Sequence, residues 1–353
     1  MSVVLITGVS RYLGARLAAQ LSADRSVTRI IGVDHITPRK ADEGRLGRTE
    51  FVRADIRNPL IANVISQARV DTVVHAPLAG PGRGVGGRVP VRDHNLVGTM
   101  QLLAACQKSE TVHRVVVQST TAVYGAGSGD PAVFTEDLRP SDQPSGDYAK
   151  DAVEIESYVR GFARRRPDIS VAVLRFASLI GPTIDSPLAR YLSLLVVPTS
   201  LGFDPRLQLL HEDDAVEVLR LASIGGVTGV TNVAGDGVVA LSQAVRRAGR
   251  VRLPVPAAAI SLVGSVVRNT GVLEFSEQAA FLNYGRVVDT SRLRDTFGYR
   301  AQYDSAGALQ SFIDGGFGLP RVASGAVGVA QNVFASTVLN PAQRRQLALT
   351  GRS

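Results

Sequence analysis

The run Val3-Val4-Leu5-Ile6 passes straight into Thr7-Gly8-Val9-Ser10-Arg11-Tyr12-Leu13-Gly14, an apolar strand followed at once by a glycine-bearing turn. An unbroken apolar strand is buried on both faces, which calls for a parallel sheet with helices on each side. Gly8 suits a sharp reversal, Gly14 suits close packing of helix on strand, and the free N–H groups at the start of the next helix attract phosphate. Gly8, Ser10, Arg11, Tyr12, Leu13 and Gly14 are therefore candidate contacts for a dinucleotide pyrophosphate. No glycine stands at 11 or 12, where the backbone would come nearest the phosphates, so this segment alone also suits an ordinary strand–turn–helix connection.

A second strand signal, Arg29 to Val33, ends in Asp34, 26 residues after Gly8 and near the spacing of about 20 for a ribose-binding acid. A carboxylate there accepts from both adenosine ribose hydroxyls and repels a 2′-phosphate, which favours NAD over NADP. Arg11, Arg39 and Lys40 are placed to pair such a phosphate. A solvated strand-end carboxylate is the plainer reading of Asp34.

Strand and helix signals then alternate. Strands are expected at 51–53, 72–75, 114–117 and 171–174, and helices at 61–68, 95–107 and 148–165. Alternation at this spacing implies right-handed crossovers and an α/β, doubly wound (Rossmann) mainly parallel sheet. Beyond Pro182 proline and glycine loosen the pattern. The division expected is a dinucleotide-binding domain over residues 1–180, a smaller C-terminal substrate lobe over 181–315 that interleaves with it, and a basic tail over 316–353. Gly80 to Arg88 is of low complexity and follows the fourth strand, where a mobile flap or an idle surface loop would serve equally.

Composition narrows the class. A chain of 353 residues, 45% hydrophobic, has ample material for a packed core. The single Cys106 excludes an internal disulfide and thiolate metal clusters, no metal site is expected, and a reducing cytoplasm fits. The apolar stretch from Val255 to Val267 is too short to span a bilayer. The net charge of +8 is uneven: Arg160, Arg164, Arg165 and Arg166 form one cluster, and no acid follows Asp314. Such runs are usually solvated faces; peripheral contact with an anionic membrane stays open, and without a recognition motif nucleic-acid binding is not expected.

Taken in order, these segments resemble the extended short-chain dehydrogenase/reductase family, which contains UDP-galactose 4-epimerase, nucleotide-sugar dehydratases and actinobacterial proteins usually called NAD-dependent epimerase/dehydratases. The resemblance covers about residues 3 to 315. Arg53-Ala54-Asp55-Ile56-Arg57 is similar to the segment whose Asp and apolar residue contact adenine, here Asp55 and Ile56. His75, Ala76 and Pro77 look like the border of the cofactor after the fourth strand, and Asn95 heads a helix of the same kind. Ser119 to Gly125, Leu174 to Pro182, His211-Glu212-Asp213-Asp214 and Asp289-Thr290-Ser291 follow in family order.

The resemblance implies an acid/base tyrosine four residues before a lysine on one helix, beside a Ser or Thr hydroxyl. Thr120 matches the hydroxyl and Lys150 the lysine, which would also bind the nicotinamide ribose. The tyrosine position, however, is Gly146. Tyr148 stands only two residues from Lys150, about 200° away on a regular helix. Either Tyr148 reaches the site because the helix begins after it, near Ala149, or the usual acid/base is absent. On the substrate side Ser178 stands where an Asn is expected and Leu207 where an Arg is expected, with Arg206 facing the other way. Those losses argue against a UDP-sugar. Leu207, Leu209, Leu210 and residues 257–267 hint at an apolar pocket, or are ordinary core.

Three functions follow. The first is an NAD-dependent oxidoreductase, epimerase or dehydratase that removes hydride from a secondary alcohol of a sugar-nucleotide-like small molecule. The second is a dehydrogenase for a lipid or sterol-like alcohol. The third is a dinucleotide-binding scaffold without turnover. The resemblance also implies a homodimer formed through the helices near Asn95 and Tyr148.

Overall fold

Strands and helices alternate from Ser2 onward in a computed structural model of the chain, which describes residues 2–38, 46–76, 88–141, 144, 146–256 and 279–316. The strands are β1 (Ser2–Thr7), β2 (Val27–Asp34), β3 (Glu50–Arg53), β4 (Thr72–His75), β5 (Arg114–Thr120), β6 (Ser170–Phe176), β7 (Ser178–Ile180), β8 (Val196–Ser200), β9 (Arg206–Leu207), β10 (Leu209–His211), β11 (Gly229–Val233), β12 (Val239–Ala240), β13 (Val251–Val255) and β14 (Gly285–Arg286). The helices are α1 (Tyr12–Ala23), α2 (Ile61–Gln67), α3 (Arg88–Lys108), α4 (Asp147–Arg165), α5 (Pro187–Leu192), α6 (Glu212–Ile224), α7 (Leu241–Arg247), α8 (Ala279–Tyr284), α9 (Ser291–Asp295) and α10 (Ser305–Asp314), with a 3-10 turn at Thr121–Tyr124.

Among the described residues, seven strands make one parallel sheet in the order β11-β6-β5-β4-β1-β2-β3. The strand order reverses between β1 and β4, and in open sheets of this kind ligands bind at the carboxyl ends beside that reversal. Successive residues of β1 serve opposite faces. Val4 and Ile6 join one buried cluster with Leu17 and Leu21 of α1 and Leu219 of α6, while Leu5 joins another with Leu102 of α3 and Ile155 and Phe162 of α4. In α4 the buried set Ala149, Ala152, Ile155, Val159 and Phe162 recurs at helical spacing, which buries one stripe against the sheet.

Beyond β6 the chain builds small sheets, β7 with β10, β8 with β13, and β9 between β12 and β14, around a third cluster that includes Leu207, Leu209 and Phe312. Yet β11 returns to the edge of the large sheet, paired with β6 from Gly229↔Ala172 to Val233↔Phe176. The C-terminal half thus interleaves with the N-terminal one.

Two expectations need correction. The third helix runs from Arg88, not from about Asn95. Asn is a favoured N-cap and so reads as a start, but Pro90 falls in the first turn, where its missing N–H breaks no helical bond. The fourth helix begins at Asp147 with Gly146 as its N-cap at φ +83°, so Tyr148 lies inside it and the delayed start near Ala149 does not occur. The glycine's left-handed backbone turns the incoming chain into the helix within one residue. Among the described residues no helix is long and apolar enough to cross a membrane.

Candidate functional site

The turn after β1 is built around two glycines. Gly8 has φ +71°, and Arg11 N–H closes the turn on its carbonyl at 3.0 Å. A Cβ on Gly14 would stand 2.3 Å from the Gly8 oxygen, so only glycine lets α1 come this close. Among the described residues no side chain caps α1, and its first N–H groups have no intrahelical partner. The Arg11 side chain folds back across Gly8, with Cδ 3.4 Å from where a Gly8 Cβ would be. It makes no hydrogen bond among the described residues; burial lowers its pKa, opposed by the Asp34 charge. A half-buried guanidinium with no hydrogen-bond partner among the described residues, beside uncapped helix N–H groups, fits a phosphate-bearing dinucleotide.

Asp34 ends β2 and is buried. Its Oδ2 accepts from Ser10 N–H and its Oδ1 from Ile36 N–H, both at 3.2 Å, while Ser10 Oγ donates to the Ile36 carbonyl at 2.6 Å. The carboxylate is thereby fixed with acceptor capacity to spare, as a ribose diol requires. His35 Nδ1 lies 3.2 Å from Asp34 Oδ1, and its ring stands 4.7 Å from that of His94. Burial brings His94 down to about 4. Asp55 is gripped by Arg57 at 2.6 Å, which holds its carboxyl at about 2. Ile56 is buried against α3, where a Cβ on Gly98 would meet its Cδ1 at 2.6 Å. The two histidines around the nucleoside end were missed from sequence, although His35 directly follows Asp34 and His94 directly precedes Asn95.

His75 and Asn95 support the site from beneath. The His75 ring is fully buried between Thr7 Oγ1 at 2.8 Å and Thr99 Oγ1 at 2.9 Å, and burial foremost pulls it down to about 3, so it is neutral. Asn95 is 1% exposed and donates to Asp151 Oδ2 at 3.3 Å. Neither side chain reaches the open crevice; they tie β1, β4, α3 and α4 together. Ala76 is partly exposed, its carbonyl 3.3 Å from a Gly8 Cβ position. Pro77, Arg39, Lys40 and residues 80–87 lie outside the described residues.

Thr120 ends β5, caps the 3-10 turn by accepting from Ala122 N–H at 3.2 Å, and lies close enough to the Tyr148 hydroxyl to lower its pKa. Tyr148 thus meets Thr120 from the first turn of α4. Burial pushes the Tyr148 phenol up to about 12, with Thr120 acting the other way. Lys150 is exposed, as two residues of helix dictate. Beneath the pair runs a buried network: Arg175 forks onto Glu156 at 2.9 and 2.6 Å, donates to Tyr124 Oη at 2.7 Å, and Ser119 Oγ donates to Glu156 at 2.7 Å. Tyr124 in turn donates to Asn232 of β11 at 2.8 Å. A buried pair satisfied on so many sides holds the 119–124 segment in one place.

Around the substrate end, Ser178 is half-buried in β7. Leu207, Leu209 and Leu210 are fully buried among core side chains, so the apolar-pocket reading of these three is overturned, and Arg206 is exposed as strand alternation requires. Residues 257–267 and the tail beyond Gly316 lie outside the described residues. Arg166 of the basic cluster donates to the Gln107 carbonyl at 2.7 Å, satisfying the end of α3, and pairs with Asp168. Tyr12 reaches from the glycine turn to Thr183 Oγ1 at 2.6 Å, and Thr183 Oγ1 donates to buried Glu212 at 2.7 Å, a link between the two halves that sequence did not signal.

The sequence profile of the NAD dependent epimerase/dehydratase family matches residues 4–223. An uncharacterized protein of Mycobacterium tuberculosis is 47% identical over 314 residues, 89% of this chain and 84% of the relative. The UDP-glucose 4-epimerase of Erwinia amylovora is 24% identical over 186 residues, 50% of this chain and 53% of its own length. In overall fold the chain is similar to UDP-glucuronic acid 4-epimerase from Bacillus cereus in complex with NAD, with a TM-score of 0.66 and 19% identity over 90% of this chain and 100% of that one.

Proposed function

Because the chain belongs to the NAD dependent epimerase/dehydratase family, we propose that it is an NAD-using oxidoreductase, epimerase or dehydratase acting at a secondary alcohol of a nucleotide-linked sugar or related small molecule. The observation that carries this reading is the approach of the Tyr148 hydroxyl to Thr120, which restores a tyrosine–hydroxyl pair although Gly146 occupies the expected tyrosine position.

The uncapped N–H groups of α1, the Arg11 guanidinium and the Asp34 carboxylate would hold the pyrophosphate and ribose of NAD, which when bound supplies a hydride acceptor. Thr120 orients the substrate hydroxyl and Tyr148 Oη carries its proton. With its phenol at about 12, Tyr148 is a proton donor at neutral pH, and as acceptor it needs positive charge brought in by a ligand. Lys150 does not face Tyr148; its place is the rim of the site.

That divergence of Tyr148 and Lys150 is what favours the second reading, a dinucleotide-binding protein without turnover. The lipid-alcohol reading loses the support of Leu207, Leu209 and Leu210. Mass spectrometry of small molecules released on denaturation, followed by absorbance of NADH with a panel of secondary alcohols including UDP-sugars, separates the first two. Bound NAD with hydride transfer supports the enzyme. Bound NAD with none supports the scaffold.

A further inference from the structure

β14 lies beside β9, with Arg286 next to Leu207 and Gly285 next to Arg206. Neighbouring residues on paired strands point to the same face. Since Leu207 is fully buried and Arg206 exposed, Arg286 points inward with Leu207. Its Nε donates to the Gly125 carbonyl at 2.7 Å, and its Cζ stands 5.1 Å from the centroid of the Phe281 ring. These contacts fix the guanidinium plane with a single one of its five N–H donors used. The others have no hydrogen-bond or ion-pair partner among the described residues; the Asp130 charge reaches it only at longer range. Arg286 is half-buried, and burial without a paired counter-charge pulls it down to about 10.

The anchor point ties this cation to the reacting end of the cleft. Gly125 is the C-terminal cap of the 3-10 turn that Thr120 opens. At about 2 Å per residue, the turn separates Gly125 from Thr120 by roughly 10 Å, within the span of a glycosyl phosphate.

We propose that Arg286 recognises an oxyanion on the substrate, a phosphoryl or carboxylate group gripped by its free N–H donors while the alcohol meets Thr120 and Tyr148. A planar fork held at one end and open at the other suits bidentate capture of either group. The cation that the family resemblance leads one to expect at 207 is here supplied from the neighbouring strand. The inference rests on the reading of Thr120 and Tyr148 as the reacting pair.

The test measures affinity without turnover. The NAD-loaded full chain is titrated calorimetrically with UDP, UDP-glucose and UDP-glucuronic acid, as wild type, Arg286→Leu and Arg286→Lys, with NAD affinity as the check on folding. Arg286→Leu should weaken binding about 10- to 100-fold, the loss for a hydrogen-bonded charge. Loss across all three probes identifies a phosphoryl group, and loss confined to UDP-glucuronic acid identifies a carboxylate. Arg286→Lys keeps the charge without the fork and should recover part of the affinity; if the leucine variant does not fold, the lysine variant must still bind more weakly than wild type. Unchanged affinities, or a wild type that binds none of the probes with Kd below about 1 mM, overturn the proposal. Arg286-dependent binding without any hydride transfer would instead overturn the functional reading alone.

Discussion

Replacing Tyr148 with phenylalanine removes one hydroxyl and leaves the ring that packs at the start of α4. In the wild type that hydroxyl lies near Thr120, and burial pushes its phenol up to about 12. Ionising it at pH 7.5 costs roughly 6 kcal/mol at 1.36 kcal/mol per unit. If the phenolate takes the substrate proton, wild-type turnover should rise about tenfold per pH unit up to the apparent pKa of the phenol in the ligand-bound complex and level off above it. The phenylalanine variant should be slower by about 10²–10⁴, roughly 3–5 kcal/mol of barrier, and flat over that range. Because Thr120 keeps its bond to Ala122 N–H, the change in folding stability should be only about 1 kcal/mol. Initial rates of NADH formation against pH, with NAD affinity measured alongside, decide the matter. A variant with near wild-type turnover, or one whose pH profile matches that of the wild type, removes Tyr148 from the chemistry.

Asp34→Ala should weaken NAD by about 1–3 kcal/mol, since a charged acceptor for the ribose is lost; titration with NAD and NADP also tests the preference for NAD, and tighter NADP binding would reverse it. Arg11→Ala should weaken NAD as well and flatten the salt dependence of its Kd; unchanged affinity would show that the guanidinium swings away from the phosphates. His75 sits at about 3 when folded against an ordinary 6.5, so the unfolded chain binds more protons between those values and stability falls as pH drops through that window. At pH 5 the loss is about 2 kcal/mol from this residue, and His75→Gln should lessen the drop in melting temperature between neutral pH and pH 5. Gly14→Ala places a Cβ 2.3 Å from the Gly8 oxygen and should distort the turn, read as lost NAD binding with the melting temperature lowered.

Where one residue type satisfied several demands, the local geometry was legible in the sequence. The valine-rich run of β1, Gly8, Gly14 and Asp34 each follow from backbone geometry or charge over a short stretch, and the described structure places them together at the reversal of the sheet. It failed where a distant partner decides. Helical periodicity does hold Tyr148 and Lys150 apart, but the approach of Tyr148 to Thr120, 28 positions earlier, carries no local signal. Asn95, read as the head of its helix, lies inside it and turns to the buried Asp151, a partner 56 positions away that no local pattern marks. Arg286 carried no local signal: its meaning comes from Leu207 beside it and Gly125 beneath it, 79 and 161 positions away along the chain.

The edge strand β11 sets an order on the making of this protein. A ribosome that has released residues up to about 180 has produced six of the seven strands of the large sheet, yet α6 is missing from one of its helical coats, β6 still lacks its outer neighbour, and Tyr124 still lacks Asn232. Some fifty further residues must emerge before Gly229–Val233 can close that margin, with a bare row of β6 amides and carbonyls available to other chains in the meantime. A shortened gene ending near residue 180 should therefore yield aggregates, while one that extends past Val233 has every strand the large sheet uses.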